Sequence, residues 1–210
     1  MKKYNFEKKL YVITESAISR GRSNEFVVKE AIKGGAEIIQ LREKQWDKNK
    51  IKKEAIKLLK ICRKNNALFI VNDYVDVALE IGADGVHLGQ SDMPVSEARK
   101  ICGNKLIIGL STHSVEQAVK ADKEDADYIT IGPIFKTRAK DYTVGPGIIK
   151  EILKKIKKPL IAIGGINEGN IDAVLGQGAK SVAVISAVVG ADNVKEAASV
   201  LVEKIKNSTA

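Results

Sequence analysis

One stretch of the chain, from Ile70 to Asp92, indicates the fold. It reads Ile-Val-Asn-Asp-Tyr-Val-Asp-Val-Ala-Leu-Glu-Ile-Gly-Ala-Asp-Gly-Val-His-Leu-Gly-Gln-Ser-Asp. The apolar runs Leu68–Val71 and Gly85–Leu88 have the length and composition of buried strands. A segment with one apolar helical face lies between them and ends at Gly82, a residue suited to closing a helix. Two strands joined by a helix are parallel neighbours, so their carboxyl ends lie at the same edge of the sheet. The stretch therefore predicts a strand–helix–strand unit.

Two aspartates, Asp73 and Asp92, follow these neighbouring strands. Adjacent strands lie ~4.8 Å apart, so carboxylates from both can face one small volume and share a Mg²⁺ ion. Each aspartate also has an ordinary structural interpretation. Asp73 can cap the helix predicted to begin at Tyr74, and Asp92 can precede the helix that follows Met93-Pro94. This stretch alone leaves both interpretations open.

The same alternation of strand and helix extends over the whole chain. The predicted strands are Leu10–Thr14, Glu37–Leu41, Leu68–Val71, Gly85–Leu88, Lys105–Gly109, Tyr128–Ile131, Leu160–Ile163 and Ser181–Ile185. Helix starts are predicted at Ser23, Asp47, Ser114, Asn167 and Asp192, whose side chains can cap a helix. A short segment with alanine in second place precedes each even-numbered strand and begins at Gly35, Gly82, Asp125 and Gly178. The chain thus shows a weak repeat of two strand–helix units.

Alternating strands and helices without a hairpin signal leave an open doubly wound sheet or a closed barrel. A dinucleotide-binding sheet needs a glycine-rich turn after its first strand, whereas this chain has Thr14-Glu15-Ser16-Ala17 there. Eight strands within 210 residues fit the barrel better. We therefore predict an α/β protein with a single (β/α)₈ TIM-barrel domain over residues 1–210 and its active site at the carboxyl ends of the strands.

Composition limits the kinds of protein that this chain can be. The net charge of +9 admits a nucleic-acid partner, but the lysines are spread along helical segments such as Lys48–Lys64, and only 5% of residues are aromatic. Solvated helix faces are favoured, and the charge also suits small phosphorylated substrates. No apolar run reaches the ~20 residues of a membrane span, and the first ten residues lack the apolar core of a signal peptide. We expect a cytoplasmic protein with reduced thiols at Cys62 and Cys102 and no nucleic-acid or membrane partner, and a homo-oligomer stays open.

One group of residues at the predicted barrel mouth suits a phosphate. Gly164-Gly165 follows strand 7 and Ser186 follows strand 8, where many barrels bind phosphate with backbone N–H groups. Glycine suits this place because a side chain would block the close approach of the phosphate. The alternative is that the two glycines only make a tight turn.

A second group suits a diphosphate. After strand 2, Arg42 offers a planar fork for phosphate oxygens and Lys44 offers a point charge. Together with a Mg²⁺ ion held by Asp73 and Asp92, these cations would neutralise a diphosphate. The alternative for Arg42 and Lys44 is a solvated loop.

The segment Lys136–Gly147 is long and basic for a strand-to-helix loop, which is typical of a mobile lid over a phosphorylated substrate. A loop without a role is the alternative. A histidine within a barrel strand, such as His87, is more often a hydrogen-bonded core residue than a catalyst, and His113 can complete the turn at Ser114. Neither histidine is assigned a proton-transfer role.

Six motifs, in order along nearly the whole chain, resemble the thiamine phosphate synthase family. They are Gln40-Leu41-Arg42-Glu43-Lys44, Asn72-Asp73, Gly85-Val86-His87-Leu88-Gly89-Gln90-Ser91-Asp92, Gly109-Leu110-Ser111-Thr112-His113, Gly132-Pro133-Ile134-Phe135 and Gly164-Gly165-Ile166. The resemblance implies a (β/α)₈ barrel that joins an aminopyrimidinylmethyl diphosphate, here the pyrimidine diphosphate, to a hydroxyethylthiazole phosphate, here the thiazole phosphate. Pyrophosphate is released and thiamine phosphate is formed.

The resemblance also implies roles for individual residues. The pyrimidine diphosphate would contact Gln40, Leu41, Arg42, Glu43, Lys44, Asn72, Ser111 and Lys140, of which Arg42, Lys44, Ser111 and Lys140 would act in catalysis. The thiazole phosphate would contact Thr137, Arg138, Ala139, Gly165, Ile185 and Ser186, and Asp73 and Asp92 would hold Mg²⁺. The implied mechanism is dissociative, with the departing pyrophosphate stabilised by Mg²⁺ and the cationic side chains.

The sequence departs from the family pattern at the lid. Lys136 stands where the family usually has proline, and Ala139 stands where it has a hydroxyl residue. The resemblance therefore does not extend to one lid contact with the thiazole phosphate. Two other functions stay as alternatives: a thiazole tautomerase of the same fold, which would use a proton-transferring residue such as His113, and a non-enzymatic sensor of a phosphorylated ligand.

Overall fold

A computed structural model describes residues 4–208, which form eight parallel strands closed into a barrel. The strands are β1 (Leu10–Ile13), β2 (Ile38–Leu41), β3 (Leu68–Asn72), β4 (Gly85–Leu88), β5 (Ile107–Thr112), β6 (Tyr128–Ile131), β7 (Leu160–Ile163) and β8 (Ser181–Val184). The helices are α1 (Asn24–Lys33), α2 (Lys48–Lys64), α3 (Val75–Ile81), α4 (Val95–Cys102), α5 (Val115–Lys123), α6 (Gly147–Leu153), α7 (Ile171–Leu175), α8 (Ser186–Val189) and α9 (Val194–Asn207), with a 3₁₀ turn at Ser16–Ile18.

Each strand pairs with the next one along the chain, and β8 pairs with β1 to close the barrel. The predicted (β/α)₈ fold is therefore confirmed. The ends of the predicted domain, residues 1–3 and 209–210, lie outside the described residues, and so does the start of the amino-terminal segment. Over residues 4–208, no helix combines the length and apolar character that crossing a membrane requires.

The strand boundaries agree with the sequence prediction within one residue, except in β5. The predicted Lys105–Gly109 lies too early, because β5 continues through Ser111 and Thr112. These two residues pair with Thr130 and Ile131 of β6, and the Thr112 hydroxyl donates to the Thr130 carbonyl at 2.8 Å. Ser111 is consequently held within a strand and not in the loop that follows it.

Three of the five predicted helix caps are confirmed. Ser23, Asp47 and Ser114 each accept a hydrogen bond from the backbone N–H three residues ahead. The other two predictions are wrong, because α7 begins after Asn170 and α9 begins after Asn193. The predicted caps serve elsewhere: Asn167 Oδ1 accepts the Gly169 N–H within its own loop, and Asp192 forms an ion pair with Arg20.

The repeat before the even-numbered strands has a structural purpose at the amino ends of the strands. Asp84, before β4, accepts the Phe69 N–H of β3 at 2.8 Å. Asp127, before β6, accepts the Ile108 N–H of β5 at the same distance. Each carboxylate thus satisfies a backbone donor of the neighbouring strand. The two aspartates of the repeat therefore stabilise the end of the barrel opposite the mouth.

The core has two parts. The larger one lies between the outer face of the barrel and the apolar faces of the helices, such as the face of α2 that begins at Ile51 and ends at Cys62. The smaller one fills the barrel interior and includes Tyr11 and Tyr128, both fully buried, with the ring of Phe6 4.7 Å from that of Tyr128. Polar side chains from several strands meet this inner core and bring hydroxyl and imidazole groups into the barrel.

Candidate active site

A cavity of about 200 Å³ lies at the carboxyl ends of β2 and β3. Its lining contains five of the residues predicted to contact a diphosphate or metal, and the full set is Leu41, Glu43, Lys44, Ile51, Asn72, Asp73 and Tyr74. An exposed ammonium group and a carboxylate thus border one small volume. We call this volume the β2–β3 cavity.

The two predicted metal ligands do not serve as helix caps. Asp73 leaves β3 in a left-handed conformation with a φ of 64°, which aspartate tolerates, and its N–H donates to the His87 carbonyl at 2.9 Å. Asp92 Oδ2 accepts the Gly89 N–H at 2.7 Å. Helices α3 and α4 begin after Tyr74 and Pro94 without a side-chain cap. The capping interpretation of both aspartates is therefore wrong.

The carboxyl groups of Asp73 and Asp92 face each other closely enough to share a hydrogen bond when one is protonated. The Asp73 residue is exposed as a whole, but its carboxyl group is shielded from water, and this shielding raises its pKa. Asp92 also raises this pKa, Arg42 and Lys44 lower it, and the result is a pKa of about 7. A cation between the two carboxyl groups would offset this effect and favour the ionised form of Asp73.

The donor set fits Mg²⁺. Over residues 4–208, no group of three or more His, Cys, Asp or Glu side chains could enclose a metal ion. Mg²⁺ is commonly bound by one or two carboxylates, with substrate phosphate oxygens and water as the other ligands. Asp73 and Asp92 supply such a pair beside a cavity that also has a lysine.

Arg42 belongs to the same group, whereas Lys140 lies apart from it. The guanidinium of the half-buried Arg42 acts electrostatically on both Asp73 and His87. The backbone N–H of Arg42 donates to Thr14 Oγ1 at 3.0 Å. Lys140 is exposed in the loop before α6, with its Nζ 5.8 Å from the centre of the Tyr142 ring. In the described residues it lines neither this cavity nor the larger one described below.

Glu43 lines the β2–β3 cavity and also has a supporting part in the structure, while its contact with substrate stays a prediction. Its buried carboxylate accepts the Ser16 N–H at 3.0 Å, the Ser16 hydroxyl at 2.7 Å and the Asn24 amide at 2.9 Å. These bonds fix the loop after β1 and the first turn of α1. The Glu43 carboxylate therefore stabilises the mouth of the barrel.

A second cavity of about 1070 Å³ lies at the carboxyl ends of β6, β7 and β8. All six residues predicted to contact the thiazole phosphate line it: Thr137, Arg138, Ala139, Gly165, Ile185 and Ser186. Lys136, Glu15 and Arg20 also line it. The sequence reasoning missed Glu15 and Arg20, and only their position after β1, at the same edge of the barrel, could have indicated them. We call this volume the β6–β8 cavity.

Unpaired donors border the β6–β8 cavity. The Thr137 hydroxyl oxygen is buried without a hydrogen-bond partner among the described residues. Within residues 4–208 the backbone N–H groups of Gly165 and Ser186 also have no acceptor. Buried polar groups are normally satisfied, so the Thr137 hydroxyl indicates a bound partner. The half-buried Gly165 and the exposed Ser186 add two N–H donors beside the same cavity, an arrangement that suits a phosphate.

The structure gives a second reason for glycine at position 165, besides the predicted approach of a phosphate. It has a φ of +68°, and a Cβ atom there would lie 2.6 Å from the Lys136 carbonyl oxygen and 2.8 Å from Phe135 Cβ. The first obstacle to a side chain is therefore the start of the lid and not the phosphate. Its carbonyl accepts the Asn170 amide at 2.9 Å. Glycine lets the β7 loop and the lid approach each other and shape the cavity together.

Arg22 holds the other side of the β6–β8 cavity. Its guanidinium donates to the carbonyls of Val189 at 2.9 Å, Ala191 at 2.7 Å and Asp192 at 3.1 Å. These carbonyls lie at and just beyond the end of the short helix α8, which begins at Ser186. The position of the Ser186 N–H therefore depends on Arg22.

Gln40 and Ser111 line neither cavity in the described part of the chain and instead meet the barrel interior. Gln40 Nε2 donates to the Tyr11 hydroxyl, and Ser111 Oγ is bonded to His87 Nε2. His87 is buried, and this burial lowers its pKa to about 4, so it is a hydrogen-bonded core histidine as predicted. His113 Nδ1 bonds to the Gly132 carbonyl, and its ring packs edge-on against Tyr142 of the lid.

Comparisons with known proteins agree on one family. The family model described as thiamine monophosphate synthase matches residues 10–188. The thiamine-phosphate synthase of Halalkalibacterium halodurans is 46% identical over 190 residues, covering 89% of this chain and 90% of the relative. That of Chloroflexus aurantiacus is 46% identical over 193 residues, covering 90% and 89%. The solved structure of thiamine phosphate pyrophosphorylase from Pyrococcus furiosus is 40% identical, has a TM-score of 0.90 and covers 98% of both chains.

Proposed function

The chain belongs to the thiamine monophosphate synthase family, and on that premise we propose how the two cavities at the barrel mouth share the reaction. The activity is that of a transferase that joins the pyrimidine diphosphate to the thiazole phosphate, releases pyrophosphate and forms thiamine phosphate. The β2–β3 cavity receives the diphosphate and the β6–β8 cavity receives the thiazole phosphate. The observation that supports this assignment is the presence of two separate cavities at one end of the barrel, one lined by Lys44 and Asp73 and the other by Arg20, Lys136 and Arg138.

At the β2–β3 cavity, cations face the leaving group. Arg42 and Lys44 neutralise the diphosphate oxygens, and Asp73 and Asp92 would hold Mg²⁺. When bound, Mg²⁺ supplies further positive charge as pyrophosphate departs. Lys140 lies apart in the loop between Lys136 and Gly147, so that loop closes over the substrate to bring its ammonium group to the diphosphate.

The bond changes need no protein nucleophile or base. The bond between the methylene carbon and the diphosphate oxygen breaks, and its electron pair leaves with pyrophosphate. The electron-rich aminopyrimidine bears the positive charge that remains, and the lone pair of the thiazole nitrogen then forms the new carbon–nitrogen bond. Gln40, Asn72 and Ser111 hold the pyrimidine during these steps, and positioning of the two substrates supplies much of the acceleration.

At the β6–β8 cavity, the thiazole phosphate accepts hydrogen bonds from the Gly165 N–H, the Ser186 N–H and the Thr137 hydroxyl. Ala139 lines the same cavity without a hydroxyl to offer. Lys136 lines it too, and its ammonium group offsets the missing hydroxyl by adding positive charge near the phosphate.

The proposal is tested by measuring pyrophosphate release from the purified protein. Release should require the pyrimidine diphosphate, the thiazole phosphate and Mg²⁺ together. Arg42→Ala should abolish it, because Arg42 is the fork-shaped donor that follows β2. Arg63→Ala is the matched control, since Arg63 donates to the Gly82 carbonyl at the opposite end of the barrel.

Two results would contradict the proposal. Conversion of a thiazole phosphate supplied alone, without thiamine phosphate from both substrates, would indicate a tautomerase. Binding of either substrate with no pyrophosphate release under any condition would indicate a sensor. A cytoplasmic location, the absence of a nucleic-acid partner and the oligomeric state stay predictions from the sequence.

A further inference from the structure

A network of hydrogen bonds crosses the barrel interior and connects Gln40 to Ser111. Gln40 Nε2 donates to Tyr11 Oη at 2.6 Å, and Tyr11 Oη lies 3.0 Å from Tyr128 Oη. Tyr128 Oη lies 3.0 Å from His87 Nδ1, and His87 Nε2 lies 2.8 Å from Ser111 Oγ. The five residues come from β2, β1, β6, β4 and β5. We call them the interior network.

The direction of every bond follows when Gln40 donates its amide hydrogen and each buried hydroxyl proton has an acceptor. Gln40 donates an amide hydrogen to Tyr11, so the single proton of Tyr11 has Tyr128 Oη as its partner. The proton of Tyr128 is then left for His87 Nδ1, which must be an acceptor. The imidazole carries its one proton on Nε2 and donates it to Ser111 Oγ. A doubly protonated imidazole would leave the Tyr128 proton without an acceptor.

Ser111 is therefore an acceptor within the network, and its own proton is free. Thr130 Oγ1, at 3.5 Å, approaches Ser111 Oγ as a further donor. Because the hydrogen bond from His87 comes from the barrel interior, the proton of the Ser111 hydroxyl is directed toward the barrel mouth. Gln40, held by its amide nitrogen, keeps its carbonyl oxygen as an acceptor.

We propose that Tyr11 and Tyr128 are positioning residues of the reaction. Tyr128 acts through His87 to fix the Ser111 hydroxyl as a donor, and Tyr11 fixes the Gln40 amide directly, with its oxygen as an acceptor. This inference rests on the proposed contacts of Gln40 and Ser111 with the pyrimidine. One fixed donor and one fixed acceptor match a pyrimidine that carries an amino group and unprotonated ring nitrogens. A pyrimidine with an oxo group in place of the amino group presents the reverse pattern.

A glycine in β5 leaves space for the interior network inside the barrel. A Cβ atom on Gly109 of β5 would lie 2.1 Å from Tyr128 Cζ and 2.5 Å from His87 Nδ1, so the glycine leaves the room that both side chains need. Tyr11 and Tyr128 are fully buried, and an apolar ring of the same size would fill that space without a polar group to satisfy. The hydroxyl groups are thus explained by their partners and not by packing.

The first test is the tautomer of His87, measured by ¹⁵N nuclear magnetic resonance on the unliganded protein. The chain has two histidines, and a His113→Gln variant assigns the signals. We expect a neutral His87 with its proton on Nε2. A proton on Nδ1 would mean that Ser111 donates to His87, which overturns the inference. Because no substrate is present, this result stands apart from the success or failure of the proposed function.

The second test is a double-mutant cycle. Tyr128→Phe should lower kcat/KM for the pyrimidine diphosphate about tenfold, the equivalent of ~1.4 kcal/mol and of one neutral hydrogen bond, and leave the KM for the thiazole phosphate unchanged. If Tyr128 acts through Ser111, the same substitution in a Ser111→Ala background should change kcat/KM less than about twofold. Additive losses would overturn the inference.

A matched control separates positioning from stability. Thr112→Val removes a buried hydroxyl that donates to the Thr130 carbonyl, next to the interior network but outside it. It should lower the melting temperature without changing the His87 signals or kcat/KM for the pyrimidine diphosphate. Equal kinetic losses in this variant would reduce Tyr128 to a structural role. If Tyr128→Phe does not fold, Tyr11→Phe takes its place. It removes the partner of the Gln40 amide directly, so it should lower kcat/KM for the pyrimidine diphosphate in the parent protein but change it less than about twofold in a Gln40→Ala, Ser111→Ala background. Additive losses would overturn the inference.

Discussion

Gly165→Ala is the substitution whose consequences the structure defines most closely. The new Cβ would lie 2.6 Å from the Lys136 carbonyl oxygen and 2.8 Å from Phe135 Cβ, and it would force an L side chain to a φ of +68°. The left-handed conformation costs ~1–2 kcal/mol. Relief of the contact requires the start of the lid to move by roughly half an ångström, and such overpacking costs about 1–3 kcal/mol. The free energy of unfolding should therefore fall by about 2–5 kcal/mol.

The same displacement reaches the substrate. Phe135 and Lys136 directly precede Thr137, whose unpaired hydroxyl borders the β6–β8 cavity. Misplacement of a binding group by about 1 Å can cost two orders of magnitude in rate. We expect the KM for the thiazole phosphate to rise at least about tenfold, while the KM for the pyrimidine diphosphate stays within about twofold. Urea unfolding and steady-state pyrophosphate release measure the two effects.

Gly82→Ala separates the strain of the backbone from the clash. Gly82 ends α3 with the same φ of +68°, but its Cβ would meet only the flexible end of Arg63, at 3.4 Å. This variant should lose only the cost of the left-handed conformation and should keep both KM values. If Gly165→Ala unfolds no more easily than Gly82→Ala and binds the thiazole phosphate normally, the close approach of the β7 loop and the lid does not shape the site.

Three further predictions concern the metal, the lid and the short helix α8. Asp73→Asn and Asp92→Asn should each lose most of the Mg²⁺-dependent turnover while melting near the parent temperature. Because the pKa of Asp73 is raised to about 7, Mg²⁺ binding should release protons below that pH, and the affinity for Mg²⁺ should increase as the pH rises through it. Calorimetry in buffers of different ionisation heat measures this proton release, and binding without it would refute the prediction. Lys140→Ala should lower kcat more than it weakens thiazole phosphate binding, and a change confined to that affinity would contradict the lid assignment. Arg22→Ala frees the carbonyls at and beyond the end of α8, so the KM for the thiazole phosphate should rise in steady-state kinetics while that for the pyrimidine diphosphate stays constant.

The sequence predicted the fold because a parallel barrel leaves a strong periodic pattern. Each strand is a short apolar run buried on both faces, and each helix has one apolar face. The pairing of Asp73 with Asp92 followed from the same reasoning, since β3 and β4 are parallel neighbours in the structure. The residues of the β6–β8 cavity were likewise brought together by their places after β6, β7 and β8.

Contacts between distant side chains could not be predicted in this way. Nothing in the sequence near Glu43 indicates that its carboxylate bonds to Ser16 and Asn24. The pairing of Tyr11 with Tyr128 depends on the stagger of the strands around the closed barrel, which the pattern of apolar residues does not specify. The sequence therefore predicted many of the residues that line the two cavities, but not that Gln40 and Ser111 meet the barrel interior or which side chains hold others in place.

The hydrogen bonds and the pKa of His87 indicate which role the polar groups buried beneath the barrel mouth have. A general base needs a free nitrogen near the substrate and a pKa near the working pH. Both nitrogens of His87 are engaged, and burial, aided by Arg42 against the opposing charge of Asp92, lowers its pKa to about 4. His87 is thus unsuited to proton transfer at neutral pH. A dissociative reaction asks for none, because the leaving group departs with its electron pair and the thiazole nitrogen attacks with its own. What such a reaction needs is a pyrimidine held in one orientation while its charge changes, and neutral groups with fixed hydrogen-bond directions can provide that without repelling the cation.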